Sequence, residues 1–199
     1  MRVLVACEFS GVVREAFAAK GHDSWSCDIL PSEIPGNHFQ CDLMEVLHDQ
    51  WDLIIAHPPC TYLTNTGNRW MKPELKHKFP DWEMQRANAI DFFMRIANAP
   101  CEKIAIENPA GVMSTVFRKP DQVIYPYQFG HNFSKRTCLW LKGLGPLVPT
   151  DIVEPEFVVF NGKKYSKHHQ QIGAGRKGRA KERSRTPKGI ALAMADQWG

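Results

Sequence analysis

The chain has no Cys-x-x-Cys pair, no internal repeat and no apolar run approaching the ~20 residues of a membrane-spanning helix. These absences argue against a paired-thiol zinc or redox motif, a repeat architecture and a helical membrane anchor. The six cysteines, at positions 7, 27, 41, 60, 101 and 138, are scattered, and several lie in or at the ends of apolar runs. Free thiols in a reducing compartment are expected, with no disulfides and no metal. No charged-then-apolar leader opens the chain, so a cytoplasmic protein is expected. At 199 residues the chain can bury one good core. Acid is scarce in one place: 163–188 is rich in Lys and Arg, with His168, His169 and three glycines, against Glu182 alone. The net charge is only +4, so the basic character is local. Such a stretch either lies along phosphates, ordering on binding, or is a solvated basic loop.

What is present is a set of apolar runs that end in chemically useful residues. Leu53–Ala56 is short and unbroken, as in a central parallel strand covered on both faces. Pro58 and Pro59 stop it, because proline cannot donate to a ladder and fixes its own φ. Cys60 follows on that stiffened turn, which in an open α/β sheet faces the ligand crevice. A second run, 2–7, is broken by Glu8-Phe9-Ser10-Gly11 before a helix-like 12–20. Strand, glycine turn and helix would set backbone N–H groups around a small ligand. A strand at 22–27 is ended by Asp28, where such folds place an acid for ribose hydroxyls, and 103–107 is closed by Asn108-Pro109.

The remaining pattern predicts an α/β protein with a doubly wound, mostly parallel sheet. Residues 82–98 read as an amphipathic helix with Ala87, Ile90, Met94 and Ala97 on one face. Residues 137–141 read as a late strand, 146–155 as an irregular connection and 189–198 as a short terminal helix. Between Cys60 and Trp82 lies a polar loop carrying Asn65, Gly67, Asn68, Arg69 and Trp70; loops of that length are functional or disordered.

In this order, Phe9-Ser10-Gly11, Pro58-Pro59-Cys60, Glu107-Asn108 and Phe129-Gly130 with Lys135-Arg136 resemble the DNA cytosine-5 methyltransferases, including small phage-borne proteins of that type. The likeness spans about 3–142. It implies a Rossmann-like S-adenosylmethionine-dependent fold, with 1–145 as catalytic core, 146–188 as a basic nucleic-acid-binding segment and 189–199 as a helix on the core. It implies S-adenosylmethionine held by Glu8, Phe9, Ser10, Gly11, Asp28, Asp42 and Pro58. The nucleophile would be Cys60, with Glu107 and Asn108 holding the cytosine, and Lys135, Arg136, Arg176, Lys177 and Arg179 on the DNA. Thr61 stands where the family has Gln. The large target-recognition region of the family has no room here; only about 143–185 could replace it.

C5 of cytosine is too poor a nucleophile to attack a sulfonium methyl. A thiolate adding at C6 makes C5 enamine-like, and the negative charge placed on the ring requires a proton or strong hydrogen bond at N3. Cys60 would supply the thiolate. Glu107 would supply the proton if burial raised its pKa, with Asn108 or nearby backbone orienting it. A base in a duplex must flip out to react, and the loop after Cys60 would close over it. Each residue has a plainer reading: Cys60 as a packed thiol, Glu107 as a capping or ion-paired acid, Asp28 as a turn residue, Phe9 as core, Lys135 and Arg136 as surface, His57 as structural. An amino-methyltransferase, or a silent binding protein of the same fold, also stays open.

Overall fold

The apolar runs become a seven-stranded sheet. In the computed structural model, which describes residues 1–166 and 179–199, the strands are β1 (Arg2–Ala6), β2 (Asp23–Cys27), β3 (His38–Phe39), β4 (Leu53–Ala56), β5 (Ile104–Asn108), β6 (Gln122–Ile124) and β7 (Thr137–Lys142). Their order is β3-β2-β1-β4-β5-β7-β6. The pairings from β3 through β5 are parallel; β7 runs antiparallel to both β5 and β6. Sequence order reverses beside β1, with β2 on one side and β4 on the other. A switch point of this kind opens a crevice at the carboxyl ends of the strands.

Helices cover both faces, which is why β1 and β4 are apolar without alternation. Val3, Val5, Leu53 and Ile55 pack with Val13 and Phe17 of α1 (Val12–Ala18) and with Met194 and Trp198 of the terminal helix Lys188–Trp198. Leu4, Ala6, Ile54 and Ala56 face the other way, onto Leu47, Trp51 and the Phe93 and Ile96 of α2 (Trp82–Ala97). Of the expected inward face of α2, Ile90, Met94 and Ala97 are half-buried against this core and Ala87 is exposed, while the fully buried positions are Trp82, Phe93 and Ile96. The largest apolar side chains decide the rotation of the helix, and Phe93 meets the rings of Trp140 and Phe117 edge-on at 5.3 and 5.9 Å.

A hairpin within the basic stretch was not expected. Strands β8 (Phe157–Phe160) and β9 (Lys163–Ser166) are joined by Asn161-Gly162, whose φ values of 49° and 71° are those of a two-residue hairpin turn. The polar loop after Cys60 is built of two short 3₁₀-helical segments, Asn65–Met71 and Pro73–Lys78. Among the described residues no helix is long and apolar enough to cross a membrane.

Candidate active site

Strand register alone brings two of the expected groups together. Ala56 lies beside Ile106 in the parallel β4–β5 pair, so the next residues of each chain end up as neighbours: His57 with Glu107, Pro58 with Asn108. The His57 Nδ1 stands 3.1 Å from Glu107 Oε2, and Asn108 Nδ2 donates to the Pro58 carbonyl at 2.8 Å. Asn108 therefore fastens the Pro-Pro turn; among the described residues its side chain makes no hydrogen bond to Glu107, so the expected orientation of that acid by Asn108 or nearby backbone falls to His57 instead. Cys60, exposed, heads a helical turn in which its carbonyl accepts from Leu63 and Thr64.

The electrostatics correct a second expectation. Burial alone would push the Glu107 carboxyl up, but the charge of Lys135 and the hydrogen bond from His57 outweigh it and hold the group down at about 2. Glu107 is thus ionised, not a stored acid. Although the residue as a whole is exposed, the surrounding chain partly desolvates its sulfur; this, followed by the Glu107 charge, raises the Cys60 thiol, against the opposing influence of Lys135 and Arg183. In the free protein the thiol is the dominant form near neutral pH, and anything that adds positive charge or removes the Glu107 charge favours thiolate.

The loop beyond Cys60 is buttressed by the turn that follows Glu107-Asn108. Thr64 bridges to Gly111, and Val112 N donates to Leu63 O at 2.8 Å. Gly111 is required there, since a Cβ would lie 1.9 Å from the Leu63 carbonyl oxygen. The two motifs are therefore braced against each other both before and after the reactive positions.

The β1–β2 edge is built differently. Glu8 is buried, and its carboxylate accepts from Val13 N at 2.7 Å and Arg14 N at 3.2 Å, as well as from Ser10 Oγ. Gly11, at φ 73°, turns the chain into α1. Glu8 and Ser10, expected on the cofactor, cap α1 instead, so the helix N–H groups predicted to face a ligand are partly taken. Phe9 is buried, with Lys181 Nζ 4.9 Å from its ring centre. Asp28 is half-buried and accepts from Leu30 N through Oδ1, leaving Oδ2 without a partner among the described residues. Asp42 is exposed and caps the turn Leu43–Glu45 through Oδ1.

Arg14 is the residue that sequence reasoning missed here. It is fully buried beneath the 32–37 loop, donating to Ile34 O, Pro35 O, Ser26 Oγ and Ser32 Oγ, with Nε on Glu15. A charge on an amphipathic helix normally reads as solvent-facing, so only the tertiary fold reveals it.

The basic residues separate. Lys135 is half-buried, its Nζ donating to Arg183 O at 3.1 Å, and its charge reaches both Glu107 and Cys60. Arg136 is exposed. Arg179 begins the short helix Arg179–Ser184, while Arg176 and Lys177 lie outside the described residues. That helix also carries Lys181, which joins Arg185 on Glu33.

All six thiols are free, Cys27 and Cys41 lying 3.9 Å apart. Among the described residues no cluster of three or more His, Cys, Asp or Glu is placed to hold a metal ion. A concavity of about 570 Å³, lined by Met1, Trp51, Asp52 and Lys103, lies at the amino ends of β1, β4 and β5, the opposite end from Cys60. No protein-family model matches the chain, and no curated protein is significantly similar to it.

Proposed function

We propose that the chain is an S-adenosylmethionine-dependent methyltransferase that acts at C5 of cytosine in DNA through a covalent Cys60 adduct. The observation that carries this reading is the pairing at the ends of β4 and β5. Their register sets the Pro58-Pro59-Cys60 turn beside Glu107-Asn108, with a nucleophile in solvent and an ionised carboxylate clamped behind it. The strand order, with reversed β7 between β5 and β6, is consistent with the Rossmann-like methyltransferase type.

The cofactor would be S-adenosylmethionine, which supplies an electrophilic methyl group. The chain offers it a reduced donor set: Asp28 Oδ2 at the end of β2 for ribose hydroxyls, exposed Asp42 farther along the same edge, and the Phe9 turn. Pro58 closes the neighbouring strand. Lys135 and Arg183 favour the Cys60 thiolate that adds to C6. An ionised Glu107 can meet the N3 lone pair of cytosine only with a proton between them. Base binding would strip solvent from the carboxylate and so raise its proton affinity as the ring gains negative charge. DNA phosphates would meet Lys135, Arg136 and the basic stretch that includes Arg176, Lys177 and Arg179.

The test is a 5-fluorocytosine oligonucleotide with S-adenosylmethionine. Fluorine cannot leave as a proton does, so the wild type should form a denaturant-resistant complex and Cys60→Ser should form none. A Cys60→Ser protein that methylates like wild type removes the cytosine-5 reading. One observation favours the silent binding protein: Glu107 and burial both hold the Cys60 thiol protonated. Cofactor binding that raises the melting temperature, with no adduct on any cytosine substrate, would support that alternative.

A further inference from the structure

The proposed chemistry uses Cys60 and Glu107 but leaves His57 without a task. His57 directly follows β4, and its backbone N–H donates to the Ala6 carbonyl at 2.9 Å, so β1 as well as β4 fixes its place. Its side chain is 7% exposed and that of Glu107 15%. A carboxylate only accepts hydrogen bonds, so Nδ1 carries a hydrogen directed at Glu107 Oε2 3.1 Å away. The other ring nitrogen, Nε2, is buried with no hydrogen-bond partner among the described residues. Glu107 is then the one described side-chain partner that orients the ring, and the ring is the hydrogen-bond donor that orients Glu107. Lys135 acts on Glu107 through charge alone, its Nζ donating to Arg183 O.

A glutamate has three side-chain torsions, and an exposed one samples many rotamers. Here Oε2 is claimed by His57, which leaves Oε1 as the oxygen able to meet a substrate and fixes the plane of the carboxylate. Groups must sit within a fraction of an ångström of the reacting geometry, and a 1 Å error can cost about a hundredfold in rate. We propose that His57 is a positioning residue of the cytosine site: through Nδ1 it holds Glu107 so that Oε1 addresses the base. This inference rests on the methyltransferase reading, and it assigns His57 a role that the sequence alone left as structural.

The charged and titratable groups around Glu107 are His57 after β4, Lys135 before β7, Cys60 on the turn and Cys138 on β7. A test must therefore separate His57 from Lys135. His57→Phe removes the donor and keeps the ring's bulk, whereas His57→Asn places a nitrogen close to where Nδ1 stands. Methyl transfer to a cytosine-rich duplex of random sequence gives kcat and KM. Carbon NMR of glutamate labelled at the carboxyl, assigned with Glu107→Gln, gives the ionisation state independently of turnover.

In the wild type Glu107 should stay ionised at about pH 4, below the ordinary glutamate value, while in His57→Phe it should take up a proton there. His57→Phe should lose about a hundredfold in kcat with KM unchanged, and His57→Asn should recover to within about tenfold of wild type. If His57→Phe proves unfolded by circular dichroism, His57→Ala is read the same way. A kcat for His57→Phe equal to wild type, or His57→Asn as poor as His57→Phe, overturns the proposal while leaving the methyltransferase reading intact. A wild type that transfers no methyl group and forms no adduct removes that reading and this inference together.

Discussion

The two halves of the crevice handle polar groups in opposite ways. At the β1–β2 edge, Glu8, Ser10 and Arg14 are buried and consume their hydrogen-bonding capacity within the chain. At the β4–β5 edge, His57 Nε2 and Asn108 Oδ1 are buried without partners among the described residues, and Cys60 stands in solvent. Buried polar atoms are normally satisfied, and exceptions concentrate at sites that strain or react. On the proposed reading the first edge is architecture and the second is where the chemistry takes place. In the proposed enzyme, a cofactor would rest on a rigid ledge while a base would be handled by groups that still have bonding capacity.

This contrast can be broken by mutation, and the largest effect is expected where the two reactive motifs brace each other. Gly111→Ala would put a Cβ 1.9 Å from the Leu63 carbonyl, so the turn after Cys60 must move. A stability loss of about 3 kcal/mol is expected, the upper range for overpacking, together with loss of the 5-fluorocytosine adduct. Denaturant melts and the trapping reaction check both. Full stability with full trapping would show that the brace does not position Cys60.

Glu8→Ala tests the ledge. It removes the acceptor for Val13 N and Arg14 N, and a loss of about 2 kcal/mol is expected from an uncapped, buried helix start. Cofactor affinity measured by calorimetry at a temperature where the variant is folded should change little. A large loss of affinity with unchanged stability would return Glu8 to the cofactor and dissolve the contrast.

Asp28→Ala sharpens it, because Asp28 ends β2 and keeps Oδ2 without a partner among the described residues. About tenfold weaker S-adenosylmethionine binding is expected, the equivalent of one hydrogen bond at about 1.4 kcal/mol. Equal affinity in calorimetry would leave Asp28 as a turn residue only.

The smallest effect belongs to the link between the basic helix and the ledge. Arg185 and Lys181 hydrogen-bond Glu33 and hold its carboxyl down from 4.5 to about 2. A depressed carboxyl contributes stability above its unfolded value, so this term is complete above pH 4.5 and is lost as pH falls toward about 2. The partners are partly exposed, so screening limits it to about 1 kcal/mol or less, and salt should erase it. Glu33→Gln should therefore flatten the low-pH limb of the stability curve at low ionic strength and change nothing in molar salt.

Much of the frame was legible beforehand. The runs at β1, β4 and β5 are apolar enough to read as covered strands, and proline or glycine punctuates their ends. The short strands β3 and β6 were not, since His38-Phe39 and Gln122-Val123-Ile124 are too brief to show a period. The β8–β9 hairpin did carry a signal, Asn161-Gly162 directly after the apolar run 157–160, hidden by Lys163-Lys164 and the basic composition that follows. Of the candidate site, Cys60 and Glu107 could be named from their places at strand ends, because a strand that stops delivers its last residues to the crevice.

The sequence by itself determined about where β1, β2, β4 and β5 end, because hydrophobic runs and their breakers are local properties. It could not say how those ends face one another. Register between β4 and β5, decided only by the packed sheet, set His57 on Glu107 and Asn108 on Pro58. The charge of Lys135 and the hydrogen bond from His57 then outweighed burial and reversed the expected ionisation of Glu107, because a pKa sums fields from groups distant in the chain. The same long-range packing turned Glu8 inward to cap a helix and drew Arg14 beneath a loop.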